Sequence, residues 1–136
     1  MMRAVAISLK IPDNTAYTAA VALRRLGLDV EGIERSEIWF FDDGGDAAAL
    51  LLRITSDETI FNPNKHRAAV LAAAAPREGE VWIEPLEPVT QALAKGEAAA
   101  IAWRLVGAHG ASADRELLSA AVERLLCNPA IERPVY

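Results

Sequence analysis

The end of the chain contains an apolar helical run that is cut off by an Asn-Pro pair. Leu125, Leu126 and Cys127 lead directly into Asn128 and Pro129. Proline has no N–H to continue a helix, and it forces the residue before it out of the α region. The sequence therefore predicts a last helix that stops here and continues as an edge strand or an extended tail.

A related stretch occurs near the middle of the chain. Asn62-Pro63 also follows two apolar residues, and Arg67 stands at the same distance from it as Arg133 from Asn128-Pro129. The spacing does not hold further upstream, and the match is weak elsewhere. The sequence favours two tandem βαββ-type units, 1–75 and 76–136, forming a pseudo-dimer, with a single compact domain as the alternative.

Composition excludes several classes of protein. The chain has 136 residues, 52% of them hydrophobic, and a net charge of −5. Nucleic-acid binding needs clustered Lys and Arg, so we expect no nucleic-acid partner. We also expect no signal peptide and no membrane span, hence a cytoplasmic protein. Cys127 is the only cysteine, so no internal disulfide is expected, and its apolar surroundings suggest an inert thiol.

The first half predicts a strand, a helix and a hairpin. Residues 3–11 alternate as a half-buried strand, and Asp13 or Asn14 then caps a helix that ends at Gly27. Residues 30–41 form a second strand. The run 42–46 is typical of a tight turn, so residues 47–54 are expected to return as the other strand of a hairpin.

The second half is less regular. Residues 66–75 suit either a strand or a helix, whereas 80–86 and 97–106 read as strands around a short helix at 89–95. Ser112 is the expected cap of the last helix. The prediction is an α+β protein with an antiparallel sheet and helices on one face.

Three segments, taken in order, resemble the small subunit (PurS family) of phosphoribosylformylglycinamidine synthase. They are an opening strand that ends in Leu-Lys, a helix that ends in Leu-Gly and leads to Arg35, and a closing helix with Leu-Leu, Asn-Pro and Ile-Glu. The resemblance covers residues 3–54 and 112–135. The family's Asp-Pro-Gln-Gly is here the shorter 12–15 run, and residues 55–111 have no counterpart.

The resemblance implies a noncatalytic subunit of a glutamine-dependent, ATP-using ligase complex in purine biosynthesis. Its partners would be the large synthetase subunit and the glutaminase subunit, which it would bridge. Family members self-associate through sheets, so the resemblance also implies a homo-oligomer, and a fused double unit explains the additional middle segment. No cofactor is expected.

No residue set in the sequence points to catalysis or to a metal. His66 beside two basic residues and His109 between small residues read as loop positions rather than ligands. Asp42, Asp43 and Asp46 lack the spacing of a calcium loop, and a turn explains them.

Trp39, Trp82 and Trp103 each fall in a strand and are either core residues or interface anchors. Trp39, Phe41 and Arg35 are the candidate interface residues. The alternative function, from another class, is a stand-alone small-ligand-binding or regulatory α+β module, in which the unmatched middle segment shapes the pocket. Co-purification of partner subunits discriminates between the two.

Overall fold

The structure is a computed structural model that describes residues 2–42, 44–87 and 97–136. The strands and helices within these residues follow in this order along the chain: β1 Met2–Leu9, α1 Asn14–Arg25, β2 Gly32–Asp42, α2 Ala47–Thr55, β3 His66–Val70, β4 Glu80–Pro85, β5 Ala100–Val106, α3 Arg115–Ala121 and β6 Glu132–Val135. A 3₁₀ turn, Ala108–Gly110, precedes α3, and a π-helical turn, Val122–Leu126, continues it.

The six strands form one antiparallel sheet in the order β3-β1-β2-β5-β4-β6. The α+β class with an antiparallel sheet is therefore confirmed. β1, β2 and β3 occupy one half with β1 in the middle, and β4, β5 and β6 occupy the other with β4 in the middle. β2 and β5 join the halves, and the final strand β6 lies at an edge, as the Asn-Pro stop predicts.

The helices of the described residues, α1, α2 and α3, pack against one face of the sheet. Their buried side chains form two clusters with strand residues that the register places on this face: Leu23, Leu118, Val81 and Leu105 in one, and Leu50, Ile54, Val5 and Ile7 in the other. Burying each large aliphatic side chain contributes roughly 1.5–3 kcal/mol, so these clusters are the main source of stability.

The opposite face is built largely from small side chains. Ala6, Ala102, Ile38 and Trp82 form a buried cluster here, joined by Leu71 from the segment after β3. This segment connects β3 at one edge to β4 in the other half of the sheet, so it must cross over β1, β2 and β5. Its leucine in this cluster shows that the crossing begins on the face opposite α1, α2 and α3.

The first helix ends as the sequence predicts. Gly27 has a φ of +88°, which glycine adopts without strain. The Leu28 N–H donates to the Leu23 carbonyl at 3.0 Å and the Gly27 N–H to the Arg24 carbonyl at 3.0 Å, which together form a Schellman motif. At the other end Asp13 is the N-cap, accepting from the Ala16 N–H.

The predicted hairpin between 30–41 and 47–54 is wrong in its second strand, which is the helix α2. Asp46 caps this helix by accepting from the N–H groups of Ala48 and Ala49. Leu50 and Ile54 fall one helical turn apart and are both buried, so the same residues that suggested a strand satisfy a helical period. Asp43 lies outside the described residues.

Two further expectations are corrected or resolved. Asp114, and not Ser112, caps α3 by accepting from the Leu117 N–H at 2.9 Å, because Ser112 is held in a bridge to Val106. Residues 66–70 form a strand, β3, although alanine favours helix. The strands predicted at 80–86 and 97–106 are confirmed as β4 and β5, and the short helix predicted at 89–95 lies outside the described residues.

The two Asn-Pro segments form turns with the same hydrogen bonds. In the first, the carbonyl of Asn62 accepts from the His66 N–H at 2.8 Å, and its side chain accepts from the Asn64 N–H at 2.9 Å. In the second, the carbonyl of Asn128 accepts from the Glu132 N–H at 2.8 Å, and its side chain accepts from the Ala130 N–H at 3.1 Å. Each turn leads into an edge strand, β3 or β6.

Candidate functional site

The candidate site is a cleft at the point where β1 and β2 stop pairing. Their ladder ends at Ile7 opposite Glu37. Beyond it β1 continues beside β3, with Leu9 opposite His66, while the beginning of β2 pairs only with β5. Two neighbouring strands therefore diverge inside the sheet and leave a gap between them.

Main-chain groups of Leu9 and Arg35 face this gap. The main-chain N–H of Lys10 and the carbonyl of Ala4 form hydrogen bonds on the β3 side of β1. Because alternate residues of an antiparallel strand bond to opposite sides, Leu9 directs its N–H and C=O toward β2. The carbonyl of Ile38 accepts from Ala99 on the β5 side, so Arg35 directs its main-chain groups toward β1. If the β1–β2 ladder continued, Leu9 and Arg35 would form its next hydrogen-bonded pair, but the ladder ends before them.

The cleft consists of two adjoining cavities of about 350 and 270 Å³. The residues common to their linings are Ser8, Leu9, Asp13, Arg35 and Ser36. The larger cavity extends along the face opposite α1, α2 and α3 to Arg67 and Arg77, and the smaller one extends to Trp39 and His66. Both lie in the size range of a small-molecule site, or just below it.

Arg35 is the central cation of the cleft. Its guanidinium carbon lies 5.6 Å from the centre of the Trp103 ring, directly across the β2–β5 pair, which gives a cation–π contact. Its Nε atom is buried and has no hydrogen-bond partner in the part of the chain that the structure describes. A buried donor without a partner costs free energy, so this arrangement needs water or a ligand to complete it.

The carboxylates of the cleft are already engaged. Asp13 caps α1, and the Glu37 carboxylate accepts from the Trp39 Nε1–H at 3.2 Å. Glu34 lies 3.6 Å from the Arg104 guanidinium. These contacts leave the Arg35 Nε atom without a carboxylate partner among the described residues.

Arg77, by contrast, is held in place by Glu80. Its guanidinium donates to the Glu80 carboxylate at 2.7 Å, and the Trp82 Nε1–H donates to the same carboxylate at 2.8 Å. Burial raises the pKa of Glu80, but these hydrogen bonds outweigh burial and hold the pKa below its ordinary value. Glu80 therefore stays ionised and fixes Arg77 at the rim of the larger cavity.

The structure brings together two of the three candidate interface residues. Arg35 and Trp39 both line the smaller cavity, whereas Phe41 lies further along β2. The Trp39 and Phe41 rings stack, with centres 6.2 Å apart, and both are half-buried against the cluster that contains Leu50 of α2. Their role in an interface stays a prediction.

The two histidines are held by hydrogen bonds in different parts of the fold. The Nδ1 atom of His66 accepts from the Asn62 N–H at 2.9 Å, which ties the side chain to its own turn. His109 has a φ of +60°, and its N–H donates to the Glu31 carboxylate at 3.0 Å. The two are on different parts of the fold, and only His66 reaches the cleft.

The aspartates near residue 43 and the single cysteine have local roles in the fold. Asp42 accepts from the Gly44 N–H and Asp46 caps α2, and the described residues contain no cluster of three or more His, Cys, Asp or Glu suited to a metal. Cys127 follows the π-helical turn, where burial and the nearby Glu132 carboxylate raise the pKa of its thiol.

Sequence reasoning missed Ser8, Ser36, Arg67 and Arg77 as lining residues. Ser8 is a polar residue in a largely apolar strand, which is a signal available in the sequence, whereas Ser36 stands between Arg35 and Glu37 and gives no such signal. No sequence pattern announces that β1 and β2 diverge, because divergence depends on which strand each one joins.

Comparison with known proteins yields no relative. No family model matches the chain, and neither a curated protein nor a solved structure matches it. Within the described residues, no helix is both long and apolar enough to span a membrane.

Proposed function

We propose that this protein is a noncatalytic subunit, related to the PurS family, of a phosphoribosylformylglycinamidine synthase complex. The observation that carries the proposal is the closing element: α3 and its π-helical turn stop at Asn128-Pro129, and β6 follows as an edge strand. This element contains the Leu-Leu, Asn-Pro and Ile-Glu residues that resemble the family's closing segment, in the same order.

The arrangement of the sheet supports a fused pair of units. Each half contains a central first strand, a second strand at the middle of the sheet and a third strand at an edge. Each edge strand follows an Asn-Pro turn, and the halves meet through antiparallel pairing of β2 with β5. Two subunits that associate through their sheets would give this order, so the proposal treats residues 1–75 and 76–136 as a pseudo-dimer.

One pair of equivalent positions in the proposed units holds the same residue types. When the two Asn-Pro turns are aligned, His66 of β3 corresponds to Glu132 of β6, so their partners in the sheet, Leu9 and Pro85, also correspond. Counting back four residues along β1 and β4, Val5 corresponds to Val81. Val5 lies opposite Trp39, and Val81 lies opposite Trp103. A valine–tryptophan pair on the helix-bearing face thus occurs once in each half.

The role proposed is to bridge the synthetase and glutaminase subunits in the cytoplasm, without catalytic residues of its own. The contact surface is proposed to include Trp39, Phe41 and Arg35, which remain partly accessible at the β1–β2 side. Tyr17 on α1 is 69% exposed and offers a further aromatic contact. Large aromatic and arginine side chains are the usual anchors of protein interfaces.

The test is affinity purification of the tagged protein from its own host, at modest salt with ADP, magnesium and glutamine. Recovery of a synthetase and a glutaminase supports the proposal, and the Tyr17→Ala variant should recover less of both. Arg25→Gln, on the same helix and also exposed, is the matched control. Recovery of the folded protein alone, or a reconstituted complex whose activity is indifferent to it, contradicts the proposal.

The cleft favours one alternative, a stand-alone small-ligand-binding or regulatory module. Its observation is the unpartnered Nε atom of Arg35 in a cavity of about 350 Å³. This alternative predicts that the purified protein binds a small molecule without any partner. A thermal-shift screen of metabolites on the isolated protein separates it from the subunit proposal.

A further inference from the structure

We infer that the cleft between the diverging ends of β1 and β2 binds the phosphate group of a small organic molecule. This inference does not depend on the proposed subunit function, because it concerns a site that lies within this chain. It follows from three features of the cleft: the unpartnered Nε atom of Arg35, the donors that surround the gap, and the size of the cavity.

The charged side chains of the cleft differ in whether they have a hydrogen-bond or ion-pair partner. Each lining carboxylate has a partner: Asp13 bonds the Ala16 N–H, Glu34 lies beside Arg104, and Glu37 bonds the Trp39 indole. The Arg35 Nε atom has no hydrogen-bond partner among the described residues. Arg67 stands exposed at the edge of the same cavity, on β3.

Arg67 differs from the other arginine of the larger cavity. The Arg77 guanidinium is bound to the Glu80 carboxylate at 2.7 Å, whereas no described residue forms an ion pair with Arg67. Arg35 and Arg67 both line this cavity; the register places Arg35 on the face that carries α1, α2 and α3 and Arg67 on the opposite face, so an anion in the gap between β1 and β2 lies between the two. Guanidinium forms charge-assisted, bidentate hydrogen bonds with phosphate, which are stronger than neutral ones.

Donors approach the cleft from three strands. Arg35 and Ser36 come from β2, Ser8 and Leu9 from β1, and Arg67 from β3. The serines offer hydroxyl groups, and Leu9 and Arg35 offer main-chain N–H groups that the β1–β2 ladder does not use. A phosphate group has oxygens on several sides, so it matches donors distributed in this way better than a planar carboxylate does.

The cavity is larger than a lone phosphate requires. Its volume of about 350 Å³ and its aliphatic lining, which includes Ala6, Ala69 and Ile33, provide room for a small organic group beside the anion. The site is therefore assigned to a phosphate monoester rather than to inorganic phosphate alone.

Calorimetry on the purified full-length chain tests this inference. The probes are glycerol 3-phosphate, inorganic phosphate and malonate, each titrated at low ionic strength into the wild type, Arg35→Gln, Arg67→Gln and Arg25→Gln. Arg25 is exposed on α1 and does not line the cleft, so its variant loses the same charge without touching the site.

We expect glycerol 3-phosphate to bind the wild type more tightly than inorganic phosphate does. The expected loss of affinity is about tenfold or more for Arg35→Gln and a smaller loss for Arg67→Gln, in line with removal of a charge-assisted hydrogen bond. Arg25→Gln should bind within about twofold of the wild type, because Arg25 does not line the cleft.

Three results overturn the inference. They are no binding of either phosphate by the folded wild type, equal losses in Arg35→Gln and Arg25→Gln, and Arg35-dependent binding of malonate without binding of the phosphates. If Arg35→Gln does not fold, Arg67→Gln decides the matter, since Arg67 lies exposed on an edge strand. Failure of partner recovery in the subunit experiment leaves this result unaffected, so the two proposals are separable.

Discussion

Asn62 and Asn128 occupy the same place in two turns that are bonded in the same way. In each, the N–H of the asparagine donates to the side chain four residues later, His66 at 2.9 Å or Glu132 at 3.0 Å. In each, the carbonyl of the asparagine then accepts from the N–H of that same residue at 2.8 Å. The side chains that close the turns differ in chemistry, yet the main-chain path into the edge strand is the same.

This equivalence predicts similar costs for two distant substitutions. Asn62→Ala and Asn128→Ala each remove a side-chain acceptor from a turn, so each should lower the free energy of unfolding by about 1 kcal/mol. Urea unfolding followed by circular dichroism measures both. Asn64→Ala is the control, because the Asn64 N–H donates within the turn and its backbone is unchanged by the substitution. Unequal costs, with one turn insensitive, would contradict the equivalence.

Much of the sheet could be predicted from sequence because its strands alternate or stop at strong signals. β1 shows a clear period of two, and Asn128-Pro129 marks the end of a helix whatever the rest of the fold is. β5 was recognised from Ile101, Trp103 and Leu105, which fall on one face. Local patterns of this kind do not depend on which strand becomes the neighbour.

The predicted hairpin failed because local patterns can suit two structures. Residues 47–54 are alanine and leucine with few polar residues, and an apolar run of this length fits a buried strand or a short helix. Asp46 decides between the strand and the helix: the sequence places it in a turn, but its side chain caps α2. The cleft was unpredictable for another reason, since Leu9 and Arg35 are far apart in sequence and meet only through strand order.

The cap of α2 supplies the second prediction. Asp46→Ala removes the acceptor for the Ala48 and Ala49 N–H groups and should cost about 1 kcal/mol of unfolding free energy. Helix content measured by circular dichroism should also fall at intermediate urea. Asp46→Asn is the matched comparison, because asparagine also caps helices and should retain most of the stability. If Asp46→Ala unfolds at the wild-type midpoint, the capping interaction contributes nothing.

Glu80 provides the prediction on pH. Its carboxylate is buried and receives hydrogen bonds from Arg77 and Trp82, which hold its pKa below the ordinary value despite burial. A folded-state pKa below the unfolded one stabilises the protein fully above the unfolded value of about 4.3, and this stabilisation is lost as the pH falls through the folded value. Glu80→Gln should therefore cost roughly 1–3 kcal/mol near pH 7 and progressively less as the pH falls below the unfolded value and through the folded one.

Urea midpoints of the wild type and Glu80→Gln, measured from pH 7 to pH 3, give this difference directly. Glu78→Gln is the control, since Glu78 is an exposed neighbour in the same segment. If the difference in urea midpoint between wild type and Glu80→Gln stays constant from pH 7 to pH 3, the stabilisation does not depend on ionisation of the Glu80 carboxylate.

The thiol of Cys127 should react slowly in the folded protein. Burial, followed by the Glu132 carboxylate, raises its pKa, and only the thiolate is a strong nucleophile. At pH 8 we expect alkylation by iodoacetamide to be at least about fivefold slower in the native protein than in urea. Cys127→Ser gives the background rate, and equal rates in the two states would contradict the expectation.

Trp39 tests whether the β1–β2 side is core or interface. Its ring stacks on Phe41 and packs against the cluster containing Leu50, so Trp39→Ala should lower the free energy of unfolding by roughly 2–3 kcal/mol. Trp82 is only 3% exposed, so Trp82→Ala should cost more, about 3–5 kcal/mol. Urea unfolding and sedimentation velocity are measured on the same samples. An unchanged unfolding midpoint for Trp39→Ala would contradict the packing described here, and unchanged self-association and partner recovery would contradict its proposed place in the contact surface.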